Sequence, residues 1–208
     1  MKKDKLKQIL EVFLTLQVTK ELPRQGFLYS GFKRNDADSV AAHSFNVVSF
    51  SYLLARELKA GGMEIDPDKV LKISLLHDMG EAITGDVGTW VKVLAKGEFQ
   101  KVENKAFGLL VRNLSHKEEL ISLFDEYTNL ITVESQIVKL ADTLDALVQG
   151  LNTPGARLDD FRKSLDKMSK QKIKDKALLE LFDNAVNLLS KKQVTYFRGH
   201  IQGEQNGM

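Results

Sequence analysis

The side chains best suited to chemistry lie in one short stretch, residues 75–86, with the sequence LLHDMGEAITGD. His77 and Asp78 are adjacent, Glu81 follows one helical turn after His77, and Asp86 closes the stretch. The preceding residues form an apolar helical run, and buried imidazole or carboxylate groups are costly when they have no partner. A divalent metal ion is the partner that this combination of side chains favours.

Two further groups could join this pair. His43 falls on the apolar stripe of one predicted helix, and Asp142 lies at the edge of the apolar stripe of another. Two imidazoles and two carboxylates form a mixed donor set suited to Mn²⁺, Co²⁺, Fe²⁺ or Zn²⁺. Four protein ligands on a six-coordinate ion leave two open positions, which is typical of a catalytic site. Taken singly, each group also has a structural explanation, such as a core histidine or an Asp142–Lys139 pair.

The elements that must position these groups are helices. Three prolines and recurrent apolar residues at i, i+3 and i+4 predict an all-α protein. Asp36 or Asp38 is the expected cap of the second helix, and Asp66 with Pro67 begins the third. An irregular segment is predicted over 23–36. The predicted helices are 4–19, 39–60, 67 to Gly80 or Gly85, 89–94, 97–113, 117–127, 133–151, 157–168 and 172–191.

Composition limits the classes of protein. The 208 residues contain 43% apolar residues, enough for a single domain, predicted over 1–198 with a flexible tail at 199–208. A net charge of only +2 gives no reason to expect a nucleic-acid partner. No segment has the features of a signal peptide or the roughly 18 apolar residues of a membrane span. The absence of cysteine excludes thiolate ligands and nucleophiles, and it is compatible with the cytoplasm, our predicted location.

Three ordered motifs resemble those of a known family. The segments SVAAHS (39–44), HDMGEAITGD (77–86) and KLAD (139–142) are similar to the H…HD…D signature of the HD-domain metal-dependent phosphohydrolases. The match is closer to the branch that contains the 5′-deoxynucleotidases, with its patterns S/N-V-x-E/D-H-S, H-D-x-x-E-x-x-x-G-D and K-x-A-D. The resemblance extends over roughly residues 5–190. It implies a compact HD-domain helical bundle.

The resemblance also implies roles for particular residues. It makes His43, His77, Asp78 and Asp142 the ligands of one divalent metal ion, Mn²⁺ or Co²⁺, with Fe²⁺, Zn²⁺ or Mg²⁺ as alternatives. Asp78 and Glu81 form the catalytic pair, in which Glu81 orients or deprotonates the attacking water. The remaining predicted contacts are with the substrate: Arg24 to phosphate, with Lys33 or Arg34 as substitutes, Asp86 to the sugar 3′-hydroxyl, and Phe27 to the sugar.

The sequence departs from the family pattern at two positions. Phe27 stands where the family has a tryptophan that discriminates deoxyribose from ribose, which puts the sugar preference in question. Ala42 stands where an acidic residue usually precedes the histidine, which puts the outer support of the metal site in question. Sites with two metals need further histidines, and only His116 and His200 remain, so one metal ion is expected.

The function predicted is release of phosphate from nucleoside 5′-monophosphates, favouring 2′-deoxynucleotides. Two alternatives stay open: hydrolysis of another phosphate ester or of a ppGpp-like nucleotide, and a non-catalytic nucleotide-binding module. Alarmone hydrolases follow their HD pair with Glu-Asp, whereas Ala82 follows Glu81 here. A homodimer is also expected. Four apolar residues could form either its interface or part of the core: Phe99, Val102, Phe107 and Leu110.

Overall fold

The computed structural model describes residues 2–153 and 172–194, and in these ranges the regular structure is helical. The helices are α1 (Lys3–Leu16), α2 (Gln25–Tyr29), α3 (Val40–Ala60), α4 (Pro67–Leu76), α5 (Glu81–Thr84), α6 (Thr89–Leu94), α7 (Glu98–Val111), α8 (Lys117–Asn129), α9 (Val133–Asn152) and α10 (Lys176–Ser190). The all-α prediction is confirmed. The predicted helix 157–168 and the predicted tail lie outside the described residues.

Local signals place most helix ends where the sequence predicts them. Asp66 caps α4 by accepting hydrogen bonds from the backbone N–H groups of Asp68 and Lys69, and Pro67 occupies the first turn. Helix α3 is different from the prediction. Its cap is Ser39, whose Oγ accepts the Ala42 N–H at 3.2 Å, and neither Asp36 nor Asp38 performs this function.

The segment 23–36 is more regular than predicted. It contains the short helix α2, and an isolated antiparallel bridge joins Pro23 to Ser39. The Arg24 N–H donates to the Asp38 carbonyl at 3.0 Å, and the Val40 N–H donates to the Leu22 carbonyl at 3.0 Å. These two bonds hold the start of α2 beside the N-terminus of α3, which is where the site lies.

The largest core lies between α3, α4, α9 and α10. Its centre contains residues from all four helices: Val47, Ile73, Ile137, Leu140, Leu178 and Phe182. A second cluster joins the end of α4 to α7 and α8, and in it the rings of Phe107 and Phe124 stack with centroids 4.2 Å apart. Because α3, α4 and α9 share one core, residues far apart in sequence are brought together at their ends.

The structure distinguishes core faces from exposed ones. Phe107 and Leu110 are buried, so they belong to the core and not to an interface. Val102 is exposed. The apolar side of α1 is largely exposed, since only Val12 and Leu16 pack against the core cluster. In the described part of the chain, no helix is long and apolar enough to cross a bilayer.

The stacking of Phe107 on Phe124 leads to a prediction about stability. Phe107→Ala is expected to lower the free energy of unfolding by about 3–5 kcal/mol, because it leaves a cavity beside Phe124 in a fully buried place. Phe45→Ala is the matched control, since Phe45 is 71% exposed. Denaturant unfolding in the presence of a chelator measures both changes, and equal losses for the two variants would contradict the assignment of this core.

Candidate metal centre and active site

The turn after α4 carries the central pair of residues. Helix α4 ends at Leu76, and i→i−3 bonds follow, from the Met79 N–H to the Leu76 carbonyl and from the Glu81 N–H to the Asp78 carbonyl. The predicted end of this helix, at Gly80 or Gly85, is therefore too late, because residues 77–80 form a turn and Glu81 begins the separate helix α5. Gly85 ends α5 at φ +73°, a conformation that favours glycine.

Four predicted ligands converge at this turn. Nε2 of His43 lies 3.5 Å from Nε2 of His77, 3.5 Å from Oδ2 of Asp78 and 3.3 Å from Oδ1 of Asp142. Nε2 of His77 lies 3.2 Å from Oδ2 of Asp78. Ligand atoms of His43, His77 and Asp78 all lie within 4.8 Å of one another. Oδ1 of Asp142, from α9, lies beside this group of three through its contact with Nε2 of His43.

The charge state of these groups suits a cation. Burial alone would raise the pKa of Asp78, but the nearby His77 and His43 hold it below its usual range. Burial and the charge of Arg24 oppose protonation of His43, yet its bonds to Asp142 and Asp145 raise its pKa to about 9. Without a metal ion, a protonated imidazole thus balances the carboxylates. A divalent cation would replace that proton, so the donor set fits such an ion.

Asp142 is fixed from its other side. Its Oδ2 accepts hydrogen bonds from Lys139 Nζ at 2.5 Å and from Tyr127 Oη at 3.2 Å, which leaves Oδ1 directed at His43. Tyr127 also packs edge-on against His77, with ring centroids 5.6 Å apart. Burial and the neighbouring Asp142 raise the pKa of Tyr127, so the phenol stays a hydrogen-bond donor. Sequence reasoning missed Tyr127, because no motif surrounds it in α8.

Glu81 is the first residue of α5, three residues after Asp78. It is 8% exposed, and its Oε2 is buried without a hydrogen-bond partner among the described residues. Burial raises the pKa of Glu81 to about 10, and the nearby carboxylates of Asp78 and Asp86 add to this effect. A buried carboxyl group with a free oxygen and a raised pKa is the type of group that takes part in proton transfer.

Arg24 and Asp86 bring α2 into the site. The Arg24 guanidinium lies 3.9 Å from the carboxylates of both Asp142 and Asp145, and its buried Nη1 makes no hydrogen bond in the described structure. Asp86 accepts a hydrogen bond from the Gln25 N–H, which ties the loop after α5 to the start of α2. A guanidinium with an unused N–H group beside candidate metal ligands can donate a hydrogen bond to a phosphate oxygen.

The other predicted substrate residues lie differently. Phe27 is only 2% exposed, in contact with Phe32 and beneath the Arg24 guanidinium, which is 5.7 Å from its ring centroid. Its predicted contact with a sugar is not supported by this placement, since it offers almost no surface. Lys33 and Arg34 are exposed in the segment between α2 and α3. Neither side chain bonds to a described residue of the site.

Comparisons with known proteins identify relatives of the chain. The family model described as HD domain matches residues 16–181. A 5′-deoxynucleotidase of Xenopus laevis is 28% identical over 76% of this chain and 78% of its own, and one of Vibrio parahaemolyticus is 31% identical over 62% and 71%. A solved structure of a conserved hypothetical protein from Pyrococcus furiosus superposes with a TM-score of 0.71 at 35% identity, covering 86% of this chain and 99% of that one. On these matches and on its own helical architecture, the chain belongs to the HD-domain family.

Proposed function

We propose that the protein is a metal-dependent phosphohydrolase that releases phosphate from nucleoside 5′-monophosphates and favours 2′-deoxynucleotides. The observation that carries this proposal is the convergence of two imidazoles and two carboxylates beside the buried Glu81. The 5′-deoxynucleotidases among the relatives support the choice of substrate. A cytoplasmic location, with which the absence of cysteine is compatible, is part of the same proposal.

The proposed metal ligands are His43, His77, Asp78 and Asp142, holding one divalent ion. Mn²⁺ or Co²⁺ is the proposed ion, with Fe²⁺, Zn²⁺ and Mg²⁺ as alternatives, because borderline nitrogen and hard oxygen donors are mixed here. Lys139 and Tyr127 occupy the second oxygen of Asp142, so this residue offers a single oxygen to the ion. When bound, such an ion lowers the pKa of water and neutralises the charge of a phosphoryl group.

The remaining residues perform the other parts of the reaction. In its ionised form, which a bound cation would favour, Glu81 accepts a proton from the attacking water, directly or through a second water. Arg24 donates charge-assisted hydrogen bonds to phosphate oxygens through its unused Nη1. Asp86, already bonded to Gln25 through Oδ2, has its Oδ1 for the 3′-hydroxyl of the sugar. Phosphate monoester hydrolysis is among the slowest uncatalysed reactions, so all of these contributions are needed.

The test is phosphate release from a panel of 5′-, 3′-, 2′-deoxy- and ribonucleoside monophosphates and a ppGpp-like nucleotide, each with Mn²⁺ or Co²⁺. The proposal expects turnover of 5′-monophosphates, fastest for 2′-deoxynucleotides, and loss of turnover when a chelator is added. Preferred turnover of another phosphate ester would favour the first alternative. Binding of nucleotides without any turnover would favour the non-catalytic module.

We also propose that the protein forms a homodimer through α1. One stripe of this helix exposes four apolar side chains, of which Leu6 is 43% exposed, Leu10 46%, Phe13 55% and Leu14 64%. A monomer rarely leaves such a contiguous stripe in water. A second copy of the chain would cover it with an equivalent stripe, as symmetric interfaces do.

Phe13→Asp is therefore expected to shift the protein to the monomer, because a carboxylate would be buried in an apolar interface. Light scattering coupled to size-exclusion chromatography measures the change in mass. Phe45→Asp is the matched control, since Phe45 is also an exposed phenylalanine but lies on another helix, α3. A wild-type protein that is already monomeric, or a variant that stays dimeric, would contradict this interface.

A further inference from the structure

The two histidines of the metal centre are held in different ways. Nδ1 of His77 lies 2.7 Å from the Ser74 carbonyl in the preceding helix α4. Nδ1 of His43 lies 2.6 Å from Oδ2 of Asp145, a residue 102 positions away in α9. Since the ring of His43 is fully buried, this carboxylate is the partner of its Nδ1 among the described residues. One histidine thus has a neutral partner and the other an anionic one.

Asp145 belongs to a second acidic cluster behind the metal ligands. Ligand atoms of Asp38, His43 and Asp145 lie within 4.8 Å of one another, which raises the question of a second cation site. The neutral imidazole of His43 has only one nitrogen with a lone pair, so it can be a ligand at only one of the two sites. When Nε2 of His43 faces Asp78 and Asp142 as a ligand, Nδ1 keeps its hydrogen and donates it to Asp145. In this arrangement the Asp38–Asp145 pair has no imidazole ligand of its own, and Asp145 serves as the hydrogen-bond partner of His43.

Asp145 is the member of the cluster that can do this. Its Oδ2 makes the 2.6 Å contact to His43, whereas Oδ1 of Asp38 is buried without a hydrogen-bond partner in the described structure. Ala42, where the family pattern has an acidic residue, is exposed, while the adjacent His43 is buried. The carboxylate that supports His43 in this chain therefore comes from the facing helix and not from the neighbouring position.

We infer that Asp145 is the positioning residue of the metal centre: its carboxylate fixes the tautomer and ring orientation of His43, so that Nε2 meets the metal ion. Helix α9 then supplies both a ligand, Asp142, and the group that orients a ligand on α3. Asp145 also lies 3.9 Å from the Arg24 guanidinium, so the same carboxylate helps to place the phosphate-binding cation. This inference rests on the metal centre proposed above.

The experiment compares Asp145→Asn and Asp145→Glu with Asp38→Asn, which removes a carboxylate of the same cluster that makes no hydrogen bond to His43. Mn²⁺ affinity is measured by competition with a chromogenic chelator. Asp145→Asn is expected to weaken it about 10- to 100-fold, the usual effect of losing such an outer partner. Asp145→Glu restores part of this loss, and Asp38→Asn changes the affinity by less than about threefold.

A second measurement separates positioning from folding. Nitrogen-15 NMR of the Zn²⁺-loaded protein is expected to show Nδ1–H on His43 in the wild type and a changed Nδ1 signal in Asp145→Asn, while the His77 signals stay unchanged. Thermal unfolding with chelator shows whether each variant folds. If Asp145→Asn does not fold, Asp145→Glu is compared with the wild type in its place. Wild-type Mn²⁺ affinity in Asp145→Asn would overturn this inference alone. Absence of Mn²⁺ binding in the wild type would overturn the proposed metal centre as well.

Discussion

Asp78→Asn is expected to remove stoichiometric binding of Mn²⁺ and to lower kcat/KM for the best nucleoside 5′-monophosphate by about a thousandfold. Oδ2 of Asp78 lies 3.2 Å from Nε2 of His77 and 3.5 Å from Nε2 of His43, so one carboxylate oxygen faces both imidazoles. Asparagine keeps the shape but removes the charge that a divalent ion needs. A metal ion supplies several kcal/mol of transition-state stabilisation, and about 4 kcal/mol corresponds to three orders of magnitude.

The matched control is Asp68→Asn, because Asp68 is an exposed carboxylate on α4, the helix that leads to the same turn. Metal analysis after dialysis and phosphate release should be unchanged in this variant. If Asp78→Asn keeps a full equivalent of Mn²⁺, the assignment of the metal ligands fails. If it loses the metal but keeps its activity, the proposed role of the metal in hydrolysis fails.

Glu81→Gln is expected to lower kcat about 10²- to 10⁴-fold while the Mn²⁺ content stays at the wild-type level. The reason is that glutamine fills the same buried place but cannot accept a proton from the attacking water. The measurement is kcat at saturating substrate together with metal analysis of the same sample. Glu64→Gln is the control, because Glu64 is exposed in the segment between α3 and α4. Unchanged kcat in Glu81→Gln would exclude Glu81 as the proton acceptor.

The same substitution should stabilise the metal-free protein at neutral pH. The pKa of Glu81 is raised from its ordinary value of 4.5 to about 10, so the folded state holds a proton that the unfolded state releases. Stability is therefore complete below pH 4.5 and is lost as the pH rises towards 10. At pH 7 this titration lowers the free energy of unfolding of the metal-free wild type by about 3 kcal/mol. Glutamine does not titrate, so Glu81→Gln avoids this loss. Chelator-treated wild type and variant should differ more at pH 7 than at pH 5, and a constant difference would contradict the raised pKa.

These two effects together describe a general property of the site. Glu81 lies buried at 8% exposure with an oxygen that makes no hydrogen bond among the described residues, an arrangement that lowers the stability of the metal-free fold. A cation beside Asp78 would favour the ionised carboxylate, since opposite charge lowers the pKa of an acid. Loss of activity combined with gain of stability in one variant is the expected sign of a residue retained for function.

Local signals in the sequence were sufficient for most of the helices. The Asp66–Pro67 start follows from capping, which acts over a few residues, and the short helix Thr89–Leu94 lies where it was predicted. The same reasoning was wrong where a tertiary contact decides. Periodicity did not reveal the turn at residues 77–80. It also did not reveal α2, whose segment is held against the start of α3 by the Arg24–Asp38 and Leu22–Val40 backbone bonds. It also could not tell that the apolar side of α1 is mostly exposed.

The sequence by itself determined which imidazole and carboxylate groups are available as metal ligands. It also determined, through the HD motif, that two of them are adjacent at residues 77 and 78. Only the tertiary structure decided which atoms meet: His43 and His77 are 34 residues apart, and His43 and Asp145 are 102 apart. These residues come together in space because α3, α4 and α9 bury a common apolar core. The hydrophobic effect acts on apolar surface whatever its position in the sequence, so it can join helices that are far apart along the chain. The Asp142–Lys139 pair was already suggested by the sequence, whereas the partners Asp145 and Tyr127 became identifiable only when their hydrogen bonds to His43 and Asp142 were in place.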